Sequence, residues 1–196
     1  MSKKGILSMA FAMLAGISML TACGDDEPKP SQTPTSGHFT YYLVTNEQTL
    51  NTLEVSTTLQ CEGEDKSGVV SAGDCVRLSQ LSDAEARATI QASIKNFANQ
   101  SDILVYSVRF SDHSTFPVVL TYGLHFAARP LAEDAPNPNL CYGYCITFTP
   151  NVGATSVYSG NYQFTKGVRK DRINDYVNMA NTINENRNQY YTPSSN

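Results

Sequence analysis

The side chains best suited to nucleophilic, metal-binding or crosslinking chemistry are five cysteines and three histidines. The cysteines occupy positions 23, 61, 75, 141 and 145. A structural zinc site needs closely spaced ligands, whereas Cys61 and Cys75 are far apart and no histidine stands close to either later pair. The chain also lacks the Gly-x-Ser-x-Gly elbow, the His-Glu-x-x-His helix, a phosphate-binding glycine loop and EF-hand spacing. The sequence therefore indicates no catalytic residue, metal site or cofactor, and it disfavours an enzyme.

The histidines and the paired carboxylates are expected to lie apart from one another. His113 falls at the tip of a predicted loop, and His125 lies in the following strand about 30 Å away at ~3.3 Å per residue, so the two cannot share a metal ion. His38 borders a linker. The pairs Glu64-Asp65 and Glu133-Asp134 fall in polar loops, where carboxylates are normally solvated. Because a glycosidase needs only two carboxyls held about 5 or 6.5–9.5 Å apart, an exported hydrolase with a carboxylate site is kept as an alternative.

The first 23 residues have the layout of a secretory signal. Lys3 and Lys4 precede an uncharged run over residues 5–20, and the run ends in Leu20-Thr21-Ala22-Cys23. A membrane-spanning helix needs about 20 apolar residues, and this run is shorter. The quartet resembles the lipobox of bacterial lipoproteins. That resemblance implies removal of residues 1–22 and lipidation of Cys23, with two or more acyl chains giving stable membrane anchoring.

Residues 23–37 are expected to form a disordered tether, because they are rich in proline and polar residues and cannot build a core. Gly24, rather than an aspartate, follows the lipidated cysteine, which favours sorting to the outer membrane. Asp25-Asp26-Glu27 resembles the signal by which Bacteroidota export lipoproteins to the cell surface, although an acidic tether could equally serve solubility alone. Residues 38–196 have the length of one globular domain.

The charge of the mature chain argues against a nucleic-acid partner. The full chain has 14 basic and 18 acidic side chains. Loss of Lys3 and Lys4 leaves 12 basic side chains and a formal charge of −6. Binding to phosphate backbones depends on clustered Lys and Arg.

The four cysteines that remain after lipidation are expected to form two disulfides, since export places them in an oxidising compartment. We favour Cys61 with Cys75, and Cys141 with Cys145, although three pairings are possible. In a straight strand Cys141 and Cys145 would lie about 13 Å apart, whereas a disulfide needs alpha carbons within ~7 Å. The favoured pairing therefore requires Gly143 to turn the chain.

The hydrophobic pattern predicts an α+β fold, an antiparallel sheet of about six strands in hairpins with two helices packed on it. A β-sandwich decorated by two helices is the alternative. The first hairpin would join strands 39–45 and 53–61. A capping box at Ser82 and Glu85 predicts a helix over 83–99, with Ala86, Ile90, Ile94 and Phe97 facing a core. A second helix carries apolar residues from Ile173 to Ile183, and the tail from Asn188 is expected to fray.

Two further hairpins are predicted from the parity of their apolar residues. Strands 102–110 and 116–126 both place even-numbered apolar residues on one face, and a short loop would pair 108 with 118 and 106 with 120. Strands 142–148 and 156–164 would pair in the same way around a turn at 150–153.

These features favour a non-catalytic binding or envelope-assembly module that contacts a protein, glycan or other envelope component. Its binding surface would be a sheet face or the loops at 61–75 and 136–138. The adjacent pairs Tyr41-Tyr42 and Tyr190-Tyr191 could supply exposed rings for such a surface. An immunity-type lipoprotein that neutralises a partner is a second alternative.

Overall fold

The computed structural model describes residues 32–96 and 99–193. The predicted signal segment 1–22, the lipidation site Cys23 and most of the tether lie outside the described residues, as does Phe97. In chain order the elements are β1 (Gly37–Asn46), α1 (Glu47–Thr52), β2 (Leu53–Cys61), β3 (Glu64–Asp65), β4 (Gly68–Val70), β5 (Cys75–Arg77), α2 (Ala84–Ile94), β6 (Ile103–Arg109), β7 (Val118–Ala128), β8 (Leu140–Pro150), β9 (Ser156–Thr165), α3 (Ile173–Ile183) and β10 (Arg187–Tyr191).

The predicted α+β class is confirmed, but the strands form two antiparallel sheets rather than one. Sheet A has the order β5-β6-β1-β8-β9. Sheet B has the order β10-β7-β2-β3, with β4 also paired to β2. Apolar residues of both sheets share one core, and α2 covers the other face of sheet A through a second, smaller cluster. The arrangement is that of the alternative, a sandwich with added helices.

Parity correctly identified the core-facing residues of β6 and β7, but their predicted hairpin is wrong. Val108 and Phe110 of the first segment and Val118 and Leu120 of the second are all buried in the shared core. However, β6 pairs with β1 and β5, whereas β7 pairs with β2 and β10. Two strands can bury their apolar faces equally well as neighbours in one sheet or as members of two facing sheets. Parity alone therefore does not distinguish the two arrangements.

The predicted hairpin between β1 and β2 is wrong for a local reason. Asn46 caps the short, six-residue helix α1, because its Oδ1 accepts a hydrogen bond from the Thr49 backbone N–H at 2.8 Å. This helix carries the chain out of sheet A, and β2 then pairs within sheet B. An N-capping Asn followed by a six-residue helix is enough to move the chain from one sheet to the other.

The predicted helix forms with Ala86, Ile90 and Ile94 buried, but α2 ends at Ile94 rather than at residue 99. Its cap differs from the prediction, since Asp83 rather than Ser82 is the N-cap and accepts from the Ala86 backbone N–H at 2.9 Å. The helix α3 also forms as predicted. The predicted fraying after Asn188 is wrong, because residues 187–191 form β10 against β7.

The hairpin of β8 and β9 is confirmed, but a bulge changes which tyrosines face the core. The register shifts between Tyr142 and Tyr144, and Asn161 on the opposite strand has a left-handed φ of 54°. An extra residue in one strand reverses the faces beyond it. Tyr158 therefore packs on the shared core, whereas Tyr162 and Phe164 pack on the α2 side.

Candidate functional site

The cysteines at 141 and 145 do not satisfy the geometric condition for their predicted crosslink. Both lie in the continuous strand β8, where four residues span about 13 Å at ~3.3 Å per residue. Gly143 does not turn the chain there, and a Cβ at this position would overlap the Tyr162 ring. All four described cysteines are thiols in the structure. The straight strand β8 does not meet the geometric condition for this crosslink, and we propose that Cys141 and Cys145 are not joined to each other.

Crossed pairings do not fit this fold either. Cys75 belongs to the edge strand β5, three strand spacings of ~4.8 Å each from β8. Cys61 packs in the core between the sheets, whereas Cys141 and Cys145 pack on the α2 side of sheet A. Cys61 and Cys75 both contact the core between the sheets, and their crosslink stays a prediction.

The residues singled out for chemistry converge at one end of the sandwich, around Cys61. Nε2 of His113 lies 3.7 Å from Sγ of Cys61 and 3.9 Å from Oε1 of Glu64. The same Glu64 oxygen accepts a hydrogen bond from the Ser111 backbone N–H at 3.0 Å. The other Glu64 oxygen lies 3.1 Å from Nζ of Lys66. A thiol, an imidazole and a carboxylate thus meet between the β2–β3 turn and the loop after β6.

The electrostatics of this cluster oppose nucleophilic catalysis. Burial, followed by the nearby Glu62 and Glu64 carboxylates, raises the pKa of the Cys61 thiol to about 12. The hydrogen bond from Ser111, with support from Lys66, lowers the pKa of Glu64 to about 2. A catalytic cysteine instead needs a lowered pKa, since the thiolate is the nucleophile. The cluster holds two loops together and leaves Cys61 protonated at neutral pH.

A second set of contacts fixes the start of β1 to the same end. His113 and Gly37 exchange two backbone hydrogen bonds of 2.7 and 3.0 Å. Nδ1 of His38 lies 2.7 Å from Oδ1 of Asp112, and the Arg109 guanidinium lies 3.7 Å from that oxygen. His38 and His113 appeared unrelated in the sequence. In the structure, both make contacts that fix the start of β1 in the sandwich.

Beside this cluster lies an open cleft of about 440 Å³, here called the acidic cleft. It is lined by residues 60–65 together with Val119 and Thr121. Glu62 also accepts a hydrogen bond from the Val119 backbone N–H at 3.1 Å, which fixes the rim. Three carboxylates over four positions give the cleft a negative character. The cleft is suited to recognition of hydroxyl, amide or cationic groups.

The sequence contained a signal for this cleft that the prediction missed. Glu62 and Gly63 both have positive φ, 45° and 89°, and Cys61 pairs directly with Glu64. A two-residue hairpin turn with positive φ at both positions and Gly at the second is the type I′ pattern. The segment after Cys61 is thus a tight hairpin rather than the start of an open polar loop.

The other predicted residues do not join this site. His125 is exposed on the outer face of sheet B, and Glu133 and Asp134 are exposed in a loop. Tyr41 and Tyr42 are both buried, which corrects the expectation that one faces outward, because sheet A is covered on both faces. Tyr190 is 54% exposed.

Within residues 32–96 and 99–193, no three His, Cys, Asp or Glu side chains are placed to hold a metal ion. None of the helices in that same part of the chain is both long and apolar enough to cross a membrane. Comparisons with protein-family models, curated proteins and solved structures gave no match to this chain.

Proposed function

We propose that the chain is a lipid-anchored lipoprotein of the outer membrane whose folded domain is a non-catalytic binding or envelope-assembly module. The anchor and the location rest on the sequence around Cys23, and surface display rests on the acidic triplet that follows. The partner would be an envelope protein or glycan.

One observation carries the binding part of this proposal: the reactive side chains at the Cys61 end are engaged within the protein, beside a preformed open cleft. Both Glu64 oxygens have cationic or N–H partners, and the Cys61 thiol is 1% exposed. Glu62 is fixed by Val119. Groups fixed in this way present a constant surface to a partner, which lowers the entropic cost of binding.

The hydrolase alternative lacks comparable support. Hydrogen bonds from neighbouring side chains and backbone lower the pKa of Glu64, Asp65 and Asp74. A general acid at neutral pH needs the opposite shift. Burial raises the pKa of Cys75 to about 11 and of Cys141 and Cys145 to about 12, which disfavours thiolate chemistry.

The test compares turnover with capture. The full chain, purified in detergent, is assayed against ester, amide and glycoside substrates, and the anchored protein is used to isolate partners from intact cells. We expect no turnover and a reproducible partner that is lost from cells lacking the protein. Turnover that disappears in Glu64→Gln but persists in the surface control Glu54→Gln would overturn the proposal.

A further inference from the structure

A second pocket, of about 180 Å³, lies at the opposite end of sheet A from the Cys61 cluster. It forms where β1 ends and where β6 and β8 begin, beyond the last residue of β9. Four of its lining side chains are carboxamides, and we call it the amide pocket. The residues that carry the argument are Asn46, Gln48, Asp102, Asn139, Phe164 and Lys166.

The pocket walls are held by hydrogen bonds between the carboxamides and the backbone. Asn46 is 5% exposed, and its Nδ2 donates to the Asn139 carbonyl at 3.1 Å. Oε1 of Gln48 accepts from the Asn139 backbone N–H at 2.7 Å. Oδ1 of Asn139 accepts from the Gly167 backbone N–H at 3.0 Å. These bonds use the carbonyl oxygens of Gln48 and Asn139 and fix both amide groups in orientation.

The fixed amides leave their N–H groups to serve as donors. Each carboxamide has two N–H donors, and those of Gln48 and Asn139 make no hydrogen bond within the described residues. Asp102 accepts from Asn99 and Ser101, and a carboxylate has about four acceptor sites, so it retains acceptor capacity. The pocket therefore offers donors on one side and an acceptor on the other.

An aromatic ring and a balanced charge complete the pocket. Nζ of Lys166 lies 6.0 Å from the centroid of the Phe164 ring. The single cation Lys166 and the single anion Asp102 cancel formally, which disfavours a strongly charged ligand. Vicinal hydroxyls, each a donor and an acceptor, match this mixture, and the C–H face of a sugar ring packs against an aromatic face. The volume is below the ~300–1,000 Å³ of sites for drug-sized ligands, which suits one sugar ring.

We propose that the amide pocket binds one neutral saccharide residue of an envelope glycan. This inference rests on the proposed binding function and names a ligand class for it. Gln48, Asn139 and Lys166 would donate to hydroxyl oxygens, Asp102 would accept from hydroxyl groups, and Phe164 would pack on the ring. The acidic cleft at the other end remains available to a second partner.

The test is saturation-transfer NMR on the full chain, in a detergent without a sugar headgroup. The probes are methyl glycosides of glucose, galactose, mannose and N-acetylglucosamine, with glucuronate and inorganic phosphate as charged probes. We expect at least one neutral glycoside to bind with a dissociation constant near the millimolar range, and the charged probes to bind at least tenfold more weakly. Gln48→Ala and Asp102→Ala should each weaken binding about five- to tenfold, since each removes a hydrogen bond.

Gln189→Ala is the matched control, because this partly exposed glutamine lies on β10 of sheet B and lines neither the amide pocket nor the acidic cleft. Phe164→Leu keeps apolar volume but removes the aromatic face, and it should weaken binding of the neutral glycoside. Binding of none of the glycosides, preference for phosphate, or equal binding by Gln48→Ala and Gln189→Ala would overturn the inference. If no glycoside binds while a partner is still captured from cells, only this inference fails, and the proposed function stands.

Discussion

Nε2 of His113 lies 3.7 Å from Sγ of Cys61, although 52 positions separate the two residues. The contact joins the end of β2 in sheet B to the loop that leaves β6 in sheet A. It resembles a catalytic pair in composition but not in electrostatics, because burial and two carboxylates keep the thiol protonated. The contact is best understood as part of the packing that shapes the acidic cleft.

The thiols of Cys141 and Cys145 should remain unpaired under oxidising conditions. Both are buried, and burial raises the pKa of each to about 12. We expect N-ethylmaleimide to modify both thiols once the protein is denatured, with no reductant needed, and to leave them unmodified in the folded protein. Mass spectrometry of a non-reduced digest checks this, and a peptide joining residue 141 or 145 to any other cysteine would contradict the described strand β8.

Replacement of Glu64 by Gln should lower stability in a pH-dependent manner. The pKa of Glu64 falls from an ordinary 4.5 to about 2 on folding, so its contribution is present above about pH 4.5 and is lost as pH falls toward 2. The side chain is 26% exposed, and we expect a cost of about 1 kcal/mol in the free energy of unfolding at pH 7. Urea unfolding at pH 7 and pH 2.5 measures it. Glu54→Gln is the control, and a pH-independent cost would contradict the assignment.

The cap of α2 can be tested by comparing neighbouring residues. Asp83 accepts from the Ala86 N–H and, at 2.5 Å, from the hydroxyl of Tyr42 on β1. Asp83→Ala should cost about 2–3 kcal/mol, because it removes both the cap and a charge-assisted hydrogen bond. Tyr42→Phe should cost about 1–2 kcal/mol, and Ser82→Ala should be close to neutral. Thermal unfolding would refute the assignment if Ser82→Ala proved the most harmful.

Replacement of Cys23 by Ser should abolish lipid anchoring. The thiol is the proposed attachment point for diacylglycerol, and serine does not form the thioether. We expect the variant to take up no labelled palmitate and to leave the membrane fraction or to remain unprocessed. Labelling equal to that of the unmodified chain would contradict the proposed anchor.

The sequence predicted individual elements better than their arrangement. The apolar faces of β6, β7, α2 and α3 follow from residue periodicity, because burial of one face is a local requirement. The assignment of β6 and β7 to different sheets depends on the chain path between them, which periodicity does not record. Likewise, the bulge at Asn161 reverses the faces of Tyr162 and Phe164, and no alternation pattern reveals it.

The candidate site was predictable only in part, for the same reason. The glutamates at 62 and 64 flank Gly63 in a recognisable type I′ turn, so the hairpin beneath the acidic cleft had a local signal. The contact between His113 and Cys61 had no local signal in the sequence, because it arises from two loops that meet across the sandwich. The amide pocket similarly gathers side chains from four separate segments.

If the domain acts by binding a partner at the acidic cleft, site-specific photo-crosslinking in intact cells should trap that partner. A photoreactive amino acid replaces Gln60 at the acidic cleft or, as the control, His125 on the outer face of β7. We expect a discrete crosslinked species from position 60 that is absent from position 125 and weakened by Glu62→Gln. Equal crosslinking from both positions, or none from position 60, would contradict it.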